Sequence, residues 1–327
     1  MAPLVIEQTV VVVGAGASHY LGFPLGRDLV TKLRSPLAQL CPNIILDPAA
    51  EGEVERSRLE FVQRLGNALF GSIDEFLASS SPEVRDAGAT SIAAALLSAQ
   101  INAARNDPVK DGWHTKLYQR CVTEHAFWHP KQNVHRHMVR VITFNYDLAI
   151  ELALCRLLWG NNVIPNLPDA WKHACSLPIL HVHGQLGFGE LLPELVQNNG
   201  YSPRLQYGEV ADMGRSLRFA YDRLSEQESE ASNKVWSVAA RWIQEAQRVV
   251  FVGFAFNPLN LAKLGLSPLH AGQVLGGKRI FSTWVDPDTK LKNAAIEALG
   301  AGINFLDCIP GPLGTAVDKL VFGEQGL

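Results

Sequence analysis

The chain has 327 residues, 47% of them apolar and 19% charged, with a formal net charge of −3. That length can bury a full core in one large domain or two modest ones, and the composition excludes low-complexity and fibrous classes. A slightly acidic balance gives no electrostatic reason to expect binding to nucleic acid.

Residues 1–13 carry no basic n-region, and their apolar run meets glycine after Val13. The run is too short for a signal-peptide core or a membrane span, so a cytoplasmic chain without membrane attachment is expected. Thr9–Val13 is β-branched and apolar, which predicts a strand buried on both faces. It leads into Gly14-Ala15-Gly16-Ala17-Ser18, where glycines permit a tight turn and let backbone N–H groups approach a pyrophosphate. His19 stands where G-x-G-x-x-G needs its third glycine, so a plain strand-to-helix turn reads as well as nucleotide binding. Residues 22–27 form a second loop and 28–33 read as a helix.

From residue 35 to 137 the pattern turns helical. Stretches 59–70, 73–77, 92–101 and 113–122 have helical spacing, and Ser81-Pro82-Glu83 reads as a helix start. No run there resembles a buried parallel strand, so 35–137 reads as a helical insertion in one domain spanning 1–327, its sheet core being 1–34 and 138–327. His125, His129, His135 and His137 cluster in sequence, but no carboxylate or cysteine accompanies them at ligand spacing; solvated or core histidines are expected.

The apolar run 139–142 ends in Thr143-Phe144-Asn145-Tyr146-Asp147, and 148–158 has helical spacing. A strand that delivers Asn and Asp at its C-terminal tip is where open α/β sheets place ligand-binding side chains. Residues 178–180 repeat the arrangement, running into His181-Val182-His183-Gly184, so the two tips are expected to share a site. Residues 190–230 are polar and broken by Gly and Pro, consistent with loops and a short helix or two. A helix follows over 236–246, then a strand over 248–253 that opens into Gly253-Phe254-Ala255-Phe256-Asn257-Pro258. Another strand, 279–285, ends at Asp286-Pro287, and a helix over 289–299 and a short strand over 303–306 close the pattern. The alternation implies an α/β, doubly wound, mostly parallel sheet. Five cysteines (Cys41, Cys121, Cys155, Cys175 and Cys308) are scattered with no C-x-x-C pair, which fits reduced thiols and no structural zinc module.

Taken in order, these motifs resemble the SIR2 (sirtuin) superfamily, and its prokaryotic SIR2-like branch more than its protein deacetylases. The series is Gly14-Ala15-Gly16-Ala17-Ser18, Gly22-Phe23-Pro24, Ile73-Asp74-Glu75-Phe76-Leu77, Thr143-Phe144-Asn145-Tyr146-Asp147, His183-Gly184, Gly253-Phe254-Ala255-Phe256 and Val285-Asp286. The resemblance implies a Rossmann-like fold that binds NAD+ as substrate, with Asn145 near the nicotinamide ribose and His183 as general base. It further implies Asp147 near the nicotinamide carboxamide, Ala15, Gly16 and Ser18 near the pyrophosphate and ribose, Asp286 on the adenosine ribose, and Gly14 among the cofactor-binding residues. Phe23, Pro24, Arg27, Gly253 and Phe254 complete the cofactor-binding set. The chain departs from the deacetylases in lacking the four zinc cysteines, in Gly22-Phe23-Pro24-Leu25-Gly26-Arg27 (of whose family pattern only Arg27 survives past the proline), and in Phe144 where the family has Gln. The zinc-free branch is associated with NAD+ hydrolysis in anti-phage defence, so an NAD+ glycohydrolase controlled by a homo-oligomer or a partner protein is expected. An NAD+-dependent protein deacylase and a non-catalytic NAD+ or ADP-ribose sensor are the alternatives.

The residue chemistry suits the cleavage. The nicotinamide–ribose bond releases a cationic leaving group as a neutral molecule, so no general acid is needed. A site must hold the ribose, stabilise an oxocarbenium-like centre and supply a nucleophile. An Asn orients water or ribose hydroxyls without adding charge, and a His near its ordinary pKa of 6.5 accepts a proton near neutrality. The structural alternative is that Asn145 caps a helix starting at Tyr146 and His183 fills a buried polar position. His181, one pleat back, is expected in the core behind the site.

Overall fold

The structure, a computed structural model, describes residues 8–49, 51–67, 73–106, 112–123, 139–187, 192–197, 203–219, 226–268, 270–284, 289–299 and 309–310. The elements up to the second strand tip are β1 (Thr9–Val13), α1 (Gly26–Lys32), α2 (Leu37–Leu40), β2 (Ile44–Ile45), α3 (Glu51–Asn67), α4 (Ile73–Ser79), α5 (Pro82–Asn106), α6 (Trp113–Thr123) and β3 (Val139–Thr143). Then come α7 (Ala149–Gly160), α8 (Leu167–Cys175), β4 (Ile179–His181), α9 (Leu192–Gln197), β5 (Leu205–Gln206), α10 (Tyr207–Ser216) and α11 (Glu226–Glu245). The last are β6 (Arg248–Val252), α12 (Pro258–Lys263), α13 (Ala271–Leu275), β7 (Arg279–Trp284), α14 (Thr289–Leu299) and β8 (Ile309–Pro310).

The apolar runs become strands because a parallel sheet covered on both faces hides every side chain. All five residues of β1 and of β6 are buried. The six-stranded sheet has the order β4-β3-β1-β6-β7-β8, and every pairing in it is parallel. Val13 pairs with Thr143 on one side and Val252 on the other, so three strand tips end level. The chain winds outward from β1 in both directions, which makes the C-terminal end of β1 the topological switch point, where ligands bind in such sheets. The α/β, Rossmann-like, mostly parallel fold read from the sequence is the fold observed.

Two cores cover the faces of the sheet, one led by Val11, Val141 and Leu154, the other by Val12, Phe251 and Ile243. A third and larger cluster centres on α5 and draws in α3, α4, α9 and α10. Helix α7 stands between two of them: Leu148, Ala149, Leu152 and Ala153 pack into the helical cluster, and Ile150, Leu154 and Cys155 into the sheet core.

Several elements differ from expectation. The helix start at Pro82 is where it was predicted, but α5 runs 25 residues as one helix. It is buried on nearly all sides, so no single apolar stripe marks its length. β2 is a two-residue strand in the stretch expected to hold none, pairing with β5 from the polar region after residue 190. Helix α8, unmarked in the sequence reading, is capped by Asn166. The strand expected over 303–306 lies outside the described residues, and the last strand seen is Ile309–Pro310. No described helix is long and apolar enough to cross a membrane.

Candidate functional site

A cleft of about 240 Å³ opens at the switch point. Four strand tips build it: Gly14 and Ala15 after β1, Phe144, Asn145, Tyr146 and Asp147 after β3, His183 after β4, and Phe254, Ala255 and Asn257 after β6. Phe23, Pro24 and Leu29 close one side, and Ile73 and Asp74 of α4 with Leu96 of α5 close another. Helical and sheet segments thus contribute to the same cavity.

Asn145 is buried, and both hydrogens of its amide are held by the protein. Nδ2 donates to the Gly14 carbonyl and to Ser18 Oγ, each at 3.1 Å. Oδ1 has no partner among the described residues, which leaves it as the acceptor available to the cleft. The capping alternative is not what the structure shows, because α7 begins at Ala149 with Leu148 at its N-cap. Asp147 Oδ1 accepts from the Ala149 N–H at 3.1 Å and from Ser18 Oγ–H at 3.2 Å. Burial raises the Asp147 carboxyl to about 6, against the Ala149, Ser18 and His181 contacts that favour its charge.

His183 sits in an aromatic recess. Phe144, Trp236 and Tyr146 surround the ring at centroid distances of 5.4, 5.5 and 6.2 Å. Burial, helped by the nearby Lys263 charge, lowers its pKa to about 4, against opposing contacts from the Arg218 backbone and the Asn260 side chain. The ordinary histidine value assumed from sequence is therefore corrected: the imidazole is neutral throughout the neutral range. Phe144, at the position where the resembled family has Gln, supplies part of the apolar wall responsible.

His181 lies behind the site. Its Nδ1 contacts the Asn145 carbonyl at 3.1 Å and its Nε2 contacts Glu151 Oε1 at 2.7 Å. Burial alone would lower its pKa, but the Glu151 charge and these two contacts, both to oxygens, raise it overall. The buried His181–Glu151 pair fixes the backbone that carries Asn145.

The Gly14–Ser18 turn does less with its amides than expected. Gly14 N–H donates to Val252 O, Gly16 to Gly253 O, Ala17 to Gly14 O and Ser18 to Ala15 O. Only Ala15, exposed at the cleft, has an N–H with no acceptor among the described residues. The glycines serve close packing of two strand tips: a Cβ on Gly14 would lie 2.6 Å from Gly253 O, and one on Gly253, at φ +57, would lie 2.1 Å from Ala17 N. The turn is further held by Trp113 of α6, whose Nε1–H donates to Ala17 O at 2.8 Å.

Of the residues expected at the site, Gly14, Ala15, Phe23, Pro24, Asn145, Asp147, His183 and Phe254 line one cleft. Gly16, Ser18 and Gly253 stand behind it as supports. Arg27 is on α1 with its side chain outside the description, and Asp286 and the four-histidine cluster lie outside the described residues. Among the described residues no group of His, Cys, Asp or Glu is arranged to hold a metal ion. Sequence reading missed Asp74, Tyr146, Trp236, Asn257 and Asn260. The Asn257-Pro258 pair was a legible helix-start signal that would have placed Asn260 on the cleft side.

No protein-family model matches the chain, and no curated protein matches it by sequence. Among solved structures, the chain is similar to one from a study of the structural basis for the mechanism and regulation of Sir2 enzymes, at 14% identity and TM-score 0.41, over 98% of this chain and 92% of that one. It is also similar to a mutant Sir2 homologue in complex with 2′-O-acetyl ADP ribose, at 14% identity and TM-score 0.38, over 96% of this chain and 90% of that one.

Proposed function

We propose that the cleft binds NAD+ and hydrolyses its nicotinamide–ribose bond, giving nicotinamide and ADP-ribose. The observation that carries this reading is the convergence of Asn145 and His183, from the tips of adjacent strands, on one cavity at the switch point of the sheet. The free groups there fit a nucleotide: Asn145 Oδ1 can accept from a ribose hydroxyl, and the Ala15 N–H can donate to a phosphate oxygen.

In the reaction, Asn145 Oδ1 holds the sugar while the aromatic recess keeps bulk water out. The bond to nicotinamide breaks with its electron pair leaving on the pyridine nitrogen, which neutralises that ring. A water oxygen bonds to the ribose C1′ from the other face, and its proton passes to neutral His183. Because Asn145 has no free N–H, it orients by accepting only, and adds no positive charge beside a developing cation.

The resemblance drawn from the sequence extends this reading to an anti-phage effector, held in check by self-association or a partner. Purified protein incubated with NAD+ and resolved by chromatography tests the chemistry. Nicotinamide release is expected, falling by about 10²–10⁴-fold in Asn145→Ala and His183→Ala. Equal release by both variants and the wild type would remove the reading. The same assay across protein concentrations tests control by self-association, which predicts specific activity that changes with dilution.

A further inference from the structure

Helix α12 presents a second group to His183. Its start is fixed by Asn257, whose Oδ1 accepts from the Leu259 and Asn260 N–H groups at 2.9 and 3.3 Å. This sets Asn260 on the cleft wall and Lys263, one turn later, over the Trp236 ring at 5.3 Å from its centre. Asn260 Oδ1 is buried and has no hydrogen-bond partner among the described residues, an arrangement that costs stability unless something fills it.

What can fill it is a proton on His183. His183 and Asn260 line the same cleft, and the Arg218 backbone and the Asn260 side chain both favour the protonated imidazole, against burial and the Lys263 charge. A neutral imidazole has one N–H and satisfies one acceptor; an imidazolium has two. We propose that Asn260 is a positioning residue acting through His183: its Oδ1, empty while the imidazole is neutral, accepts the second ring N–H once His183 has taken a proton. An interaction made only after proton transfer speeds the step without tightening substrate binding. The inference rests on His183 being the base of the proposed reaction. The ring also meets Phe144 and Tyr146 from the β3–α7 turn and Trp236 from α11, and Lys263 of α12 is the charge that opposes its protonation.

Two variants test it. Asn260→Leu keeps the volume and removes the acceptor; Asn260→Asp keeps the shape and adds charge. By NMR, the His183 Cε1–H titration midpoint is expected to fall in N260L and to rise in N260D. This readout needs no turnover, so it survives failure of the NAD+ reading. With NAD+ as substrate, N260L is expected to lower kcat by about 10–100-fold with KM within about threefold, and N260D to move the acid limb of kcat/KM to higher pH. N260L should melt no lower than wild type, because it deletes an unfilled acceptor. Identical His183 titrations in all three proteins, or a lowered melting temperature in N260L with unchanged kcat, would overturn the inference. Should N260L not fold, the N260D titration alone decides.

Discussion

Asp147 shows how folding sets the protonation state of a single side chain. It lines the cleft, and it also accepts from the first N–H of α7 and from the Ser18 hydroxyl. Burial raises its folded pKa from the ordinary 3.8 to about 6, so the native state keeps a proton that the unfolded chain has lost. Its contribution to stability is therefore full below about pH 4 and is lost as pH rises through about 6, a cost of about 3 kcal/mol. Asp147→Asn is neutral at every pH. In urea denaturation it is expected to match wild type near pH 4 and to exceed it by up to about 3 kcal/mol at pH 7.5. Parallel curves for the two proteins would contradict this. The residue type was visible in Thr143-Phe144-Asn145-Tyr146-Asp147, but its protonation is set by burial, against the contacts of Ala149, Ser18 and His181, and no local pattern shows how deeply the fold will bury it.

At the scale of elements, the site depends on how closely two strand-tip turns approach. Gly14 and Gly16 after β1 pack backbone to backbone against Gly253 after β6. Gly253→Ala would bring both a left-handed backbone at φ +57 and a Cβ 2.1 Å from Ala17 N. Gly265, at φ +74 with nothing within 4 Å, isolates the first effect. Gly265→Ala is expected to cost about 1 kcal/mol in chemical denaturation, and Gly253→Ala at least about 2 kcal/mol more. Equal costs would show that the approach of the turns can relax. The glycines stood out in the sequence as a nucleotide fingerprint with its third member missing. Their packing partner could not be read there, because Gly253 follows Gly16 by most of the chain.

At the scale of the whole molecule, α7 joins the sheet core to the helical cluster, so the two are expected to unfold together. Gly214 of α10 lies against α5 so closely that a Cβ would meet Ala89 C and Thr90 N at 2.8 Å. Gly214→Ala pushes those helices apart far from the sheet, at a cost of about 1–3 kcal/mol. Far-ultraviolet and near-ultraviolet circular dichroism should follow one shared transition, shifted to lower denaturant. Two separated transitions would mean that the helical cluster is independent of the sheet.

The amino-acid sequence by itself determined the parallel sheet and the tips that carry Asn145 and His183, because strands hidden on both faces are written as short apolar runs ending in polar groups. Tertiary structure alone decided what those groups can do. Folding spent both amide hydrogens of Asn145 on Gly14 and Ser18, closed aromatic rings around His183, and brought Asn260 to it from the start of another helix. Such outcomes are set by distances between segments far apart in the chain, and local periodicity carries no information about them.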